Sequence, residues 1–153
     1  MLIDSENLSI PSNIEVLQSH IVVLDNNDQT FLTLIDKSNN KIIDKFGNLG
    51  HGPGELIHPG HLLKLDDNKI GVFDLSNMAV FAFDIDSLIN SSTYIPNRKV
   101  NFKESLFFRV INIDQNKFFG YGISQNSMYA LLDYEGNLVN YMFDFPVDND
   151  HKS

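Results

Sequence analysis

The chain has 153 residues, with 20 acidic and 11 basic side chains, a formal charge of −9 and no cysteine. That length suits one domain with its own core, and the negative charge repels phosphate backbones and anionic lipid surfaces, so no nucleic-acid partner is expected. The lack of cysteine removes disulfides, thiolate metal sites and a cysteine nucleophile.

No run of about twenty apolar residues occurs, so no membrane insertion is expected. Residues 1–9 are acidic and carry neither the basic nor the apolar region of a signal peptide.

From there the chain reads as strand after strand. Residues 20–25, 30–36, 41–46, 61–66, 69–74 and 78–84 are short runs of β-branched and aromatic residues, most of them closed by Asp. The links Asp25-Asn-Asn-Asp28, Asp36-Lys-Ser-Asn-Asn40, Asp66-Asp-Asn68 and Asp74-Leu-Ser-Asn77 carry the side chains that cap tight turns, as hairpins require. One helical turn is expected at residues 86–90. The strand pattern then resumes at 106–114, 117–122, 127–134 and 137–144, with Glu135-Gly136 as a turn.

The strand-and-turn frame recurs. Asn68 aligns with Asn116, 48 residues on, and Asp25 aligns with Asp74, 49 residues on. Self-similarity at a fixed period marks an array, and about 48 residues holding four short antiparallel strands is the content of a propeller blade. The expected fold is therefore all-β: about three four-stranded antiparallel propeller blades. They form a single domain over 1–153, with blades at roughly 12–57, 58–105 and 106–147. The twelve Phe and five Tyr read as blade core.

The stretch Gly47-Asn-Leu-Gly-His-Gly-Pro-Gly-Glu-Leu-Ile-His-Pro-Gly-His61 concentrates the unusual residue types. A phosphate-binding P-loop needs Lys and Ser or Thr after its second glycine, whereas Pro53 and Gly54 follow Gly52. A dinucleotide fingerprint starting at Gly50 would need glycine where Glu55 stands. The residues Gly52, Pro53 and Gly54 instead suit a type II turn with positive φ at Gly54.

His51, Glu55, His58 and His61 are the candidate binding residues, because ring nitrogens and a carboxylate are the donors a zinc site uses. Their spacing matches no helical His-Glu-x-x-His pattern, and Pro53, Gly54, Pro59 and Gly60 bar a helix that would align them. No metal site and no cofactor are expected. No catalytic residue is assigned either, since no Gly-x-Ser-x-Gly elbow occurs and Asp84-Ile-Asp-Ser87 lacks the glycine and distal glutamate of a calcium loop.

Phe46-Gly-Asn-Leu-Gly-His-Gly-Pro-Gly-Glu-Leu56 resembles the G-x-x-G-x-G-P-G-E-[FL] signature of TolB-like six-bladed β-propeller proteins. Ile70-Gly-Val-Phe-Asp74 is similar to the strand that follows it, and Asp84-Ile-Asp-Ser-Leu-Ile-Asn90 to their blade-end segment. The resemblance implies a six-bladed β-propeller, of which these three blades are half, and a periplasmic or cell-envelope setting, and it carries over no catalytic residue.

The function expected is a non-enzymatic binding or interaction module for a protein or small-molecule ligand; the alternative is a metal-dependent hydrolase or lactonase on a six-bladed scaffold. Three blades leave two end faces, expected to expose apolar residues such as Ile21, Val23, Phe31 and Ile35 at one end and Phe118, Tyr129, Leu131 and Tyr141 at the other. Either a homodimer completing the ring or the rest of a longer propeller, of which this chain is a fragment, is expected to cover them.

Overall fold

The computed structural model describes residues 10–25, 30–91, 93–102, 106–114, 117–123 and 127–144. They form three four-stranded antiparallel sheets, as half of a propeller does. The first holds β1 (Pro11–Val16), β2 (His20–Asp25), β3 (Thr30–Asp36) and β4 (Lys41–Asn48), in that order. The second holds β5 (Pro59–Lys64), β6 (Lys69–Asp74), β7 (Ala79–Asp84) and β8 (Asn97–Asn101), with helix α1 (Ile85–Asn90) between its last two strands. The third holds β9 (Leu106–Asp114), β10 (Lys117–Ile123), β11 (Ser127–Asp133) and β12 (Leu138–Asp144).

Acidic side chains close the turns. Asp36 accepts from the Ser38 N–H at 2.7 Å, Asp74 from Ser76 and Asn77, and Asp133 from Glu135 and Asn137. Each carboxylate replaces partners the backbone loses where the chain reverses.

The sheets stack face to face through two apolar clusters. Between the first and second lie Leu24, Phe31 and Leu34 against Leu62, Phe81 and Phe83, with Phe31 edge-on to Phe83 at 6.3 Å. Between the second and third lie Phe73, Val80 and Phe102 against Phe107, Phe118 and Leu132. The middle sheet is thus packed on both sides, and this is why β7 is apolar at nearly every position. The first strands of the sheets lie side by side, β1 against β5 and β5 against β9.

A register shift recurs in those first strands. It falls between Pro11 and Asn13, between Pro59 and His61, and opposite Tyr121 and Gly122 between Phe107 and Arg109. The residues skipped, Ser12, Gly60 and Phe108, stand 48 apart. A bulge inserts one extra residue and re-aims the side chains beside it.

The structure departs from the sequence pattern in particular places. β1 and β8 carry no strand signal in PSNIEV and NRKVN, because the first opens on Pro-Ser-Asn, the second is mainly polar, and each lies at the edge of its sheet. The strand expected at 61–66 runs instead from Pro59 to Lys64: Leu65 and Asp66 turn the chain, both donating to the Lys69 carbonyl. Proline is tolerated at a strand start because its missing N–H is not needed there. The glycine-rich stretch also begins inside β4 and ends inside β5.

At the first end face, Val23, Phe31 and Ile35 are buried rather than exposed. At the other, Phe118 is buried against the second sheet, and the side chains that stand out are Phe108, Ile111 and Phe143. The Phe108 and Phe143 rings end a ladder that runs from Phe108 to Tyr121 to Tyr129 to Phe143, with centroids 6.0, 5.5 and 5.9 Å apart.

Candidate functional site

The connection from β4 to β5 is held at every step. Gly54 has φ +78°, and the Glu55 N–H donates to the Gly52 carbonyl at 3.1 Å, closing the Gly52-Pro-Gly-Glu55 turn. Glu55 Oε2 in turn accepts from the Gly52 N–H at 2.8 Å. Gly50 N–H donates to the Leu56 carbonyl and Leu56 N–H to the Asn48 carbonyl, while the Leu56 side chain is buried in the first cluster. Gly54 lies against the segment before β8, where an added Cβ would fall 2.7 Å from Ile95 and 2.9 Å from Pro96. Buried Asp74 secures the far end, accepting from Ile57 N–H at 2.8 Å and His58 N–H at 3.3 Å.

Beside this loop is a cleft of about 260 Å3, bordered by His51, Glu55, Ile57, Asn77, Phe81 and Arg98. Phe81 belongs to β7 and Arg98 to β8, and the Arg98 guanidinium carbon stands 5.2 Å from the centroid of the Phe81 ring. A guanidinium over an aromatic face is attracted by the ring quadrupole, which restrains it beside the cleft.

The four candidate residues do not converge. His51 and Glu55 border the cleft, His58 is exposed outside that lining, and His61 is buried between the second and third sheets. The His61 Nε2 is 2.8 Å from the Val110 carbonyl oxygen and 3.0 Å from the Val110 nitrogen, and its ring centroid is 5.0 Å from that of Phe73. Burial depresses its pKa below the ordinary histidine value; the Val110 hydrogen bond opposes that shift and the Arg109 charge adds to it. Among the described residues no group of three or more His, Asp or Glu is placed to hold a metal ion.

Arg98 and Asn77 carry no motif and were not legible as site residues. Arg98 reaches the cleft only because β8 forms, and its sole sequence cue is the basic pair Arg98-Lys99 in an acidic chain. A second set of charges gathers where the first strands meet. Glu15 of β1 is raised in pKa by burial, against the opposing charges of Lys64 on β5 and Arg109 on β9.

The chain matches the TolB-like 6-blade propeller-like family over residues 1–153. It belongs to that family. Among solved structures, this TolB-like chain is similar to an exported protein of Bacteroides fragilis, with a TM-score of 0.69 and 16% identity. It is also similar to the hydrazine synthase of Kuenenia stuttgartiensis, with a TM-score of 0.56 and 14% identity.

The first match covers 95% of this chain and 40% of the other, and the second 85% and 36%, so the chain spans about two-fifths of the length of these relatives. At such identities the likeness is one of fold. No curated protein matches the sequence. No helix among the described residues is long and apolar enough to cross a membrane.

Proposed function

We propose that the chain is a non-enzymatic binding module whose ligand occupies the cleft beside the β4–β5 loop. The observation that carries this reading is the pairing of Arg98, restrained over Phe81, with a loop whose backbone is locked by its own hydrogen bonds. A preorganised donor beside a rigid wall binds without the cost of ordering either.

Arg98 supplies the N–H donors, with Asn77 adding the amide hydrogen that Asp74 does not hold, so the ligand chemistry is a carboxylate or another acceptor-bearing group on a small molecule or a chain end. The acids nearby are engaged in structure. Glu55 holds Gly52, and Asp74 holds the backbone on both sides of its strand, which favours binding over acid–base chemistry. The exported relative supports a periplasmic or cell-envelope setting.

Titration of 15N-labelled protein with succinate and with a dipeptide bearing a free carboxylate tests the proposal. The expected result is a set of amide shift changes centred on Gly50, Gly52, Gly54 and Arg98 that disappears in Arg98→Ala. Changes elsewhere, or changes that survive that substitution, would contradict it.

A further inference from the structure

Asn13 and His61 occupy the same place in successive sheets. They stand 48 residues apart, each immediately after the bulge that follows the opening proline of its strand. Asn13 Oδ1 accepts from the Leu62 N–H at 3.0 Å, fastening the first sheet to the second. His61 Nε2 lies against Val110, itself 48 residues after Leu62, and fastens the second sheet to the third. One nitrogen cannot serve both Val110 groups at once. It accepts from the N–H when unprotonated and donates to the carbonyl when protonated.

We propose that His61 makes the seam between the second and third sheets open in mild acid, while the seam fastened by Asn13 does not respond. The doubly protonated ring carries a hydrogen on Nε2, so it can donate only to the Val110 carbonyl and leaves the Val110 N–H without the ring as acceptor. Val110 is fully buried, which makes an unmet N–H there costly. The new positive charge also sits in a buried position beside the Phe73 ring.

The charged groups around it do not relieve this. Arg109 on β9 carries a like charge, as does Lys64 on the strand of His61 itself. Glu15 on β1 is engaged electrostatically with those two cations, and Asp74 on β6 is committed to the backbone of residues 57, 58, 76 and 77. Because burial holds the folded-state pKa below its unfolded value of about 6.5, the seam is intact above that value and is lost as pH falls through the window beneath it.

Amide hydrogen exchange between pH 7.5 and 5.5, corrected for the intrinsic rate, reads the two seams separately. Protection at Val110 is expected to fall several-fold with acid while protection at Leu62 holds. His61→Asn, which places in the second sheet the residue that does this work in the first, is expected to keep Val110 protected and to abolish the pH response. Equal responses at Val110 and Leu62, or an unchanged response in the variant, would overturn the proposal. Should the variant fail to fold, imidazole 15N shifts of the wild-type protein decide: a His61 titration midpoint below that of an exposed histidine supports it, and one at or above contradicts it.

Discussion

Asp25 and Asp74, 49 residues apart, do one task in successive sheets: Asp25 Oδ1 accepts from the Ile10 N–H at 2.9 Å and Asp74 Oδ2 from the Ile57 N–H at 2.8 Å. Each ties the chain just ahead of a sheet's first strand to the end of its second. Asp74 also accepts from His58, Ser76 and Asn77 and from the Asn77 side-chain amide, so Asp74→Ala takes a fully buried acceptor away from several donors. The substitution should cost on the order of 3 kcal/mol or more, since each buried donor left unmet costs about 1–3 kcal/mol. Urea denaturation with an unchanged m-value would measure it.

Gly54→Ala should be destabilising for two separate reasons. Alanine pays for the left-handed backbone at φ +78°, and its Cβ would press on Ile95 and Pro96. Together these should cost on the order of 1–3 kcal/mol in thermal or chemical unfolding. Because the loop forms one wall of the cleft, ligand binding should weaken as well.

Phe83 joins the first sheet to the second through rings at 6.3 Å (Phe31), 5.8 Å (Phe46) and 6.3 Å (Tyr94). Phe83→Ala removes a buried ring from the centre of that seam and should cost about 3–5 kcal/mol. Phe108→Ala, at an exposed position on the far face of the third sheet, should change stability by well under about 1 kcal/mol in the same measurement.

Asp84 caps α1 by accepting from the Ser87 N–H at 2.9 Å. That backbone bond, followed by the Ser87 side chain, holds the Asp84 carboxyl below the usual carboxylate range. A depressed carboxylate pKa contributes stability that is present above the unfolded value of about 3.9 and is lost as pH falls through the folded value. Asp84→Ala should cost about 1 kcal/mol at pH 7. Asp84→Asn should keep most of the cap and flatten the acid limb of a stability–pH curve.

The strands that pack on both faces were the most legible. His20–Asp25, Thr30–Asp36 and Lys69–Asp74 stand where their β-branched and aromatic runs put them, closed by acids that cap the turns, and Leu106–Asp114, exposed on one face, does so as well. β1 was not legible because Pro11, Ser12 and Asn13 mask the alternation, and Asn13 turns out to serve the seam with Leu62 rather than the solvent.

The cleft was half legible. The unusual residues at 47–61 marked the loop, but Arg98 stands 37 residues beyond the end of that stretch, and only the register of β7 with β8 brings it near. His61 shared the chemistry of its neighbouring histidines. Its direction depended on a bulge at Gly60, which no local pattern reveals.

We propose that this TolB-like chain binds rather than catalyses. Elemental analysis of native protein purified without chelator, paired with hydrolysis assays on lactone and ester substrates in the presence of calcium, manganese or zinc, tests it most directly. Far less than one equivalent of any divalent metal and no turnover above the buffer rate are expected. A stoichiometric metal accompanied by turnover that chelation abolishes would contradict it.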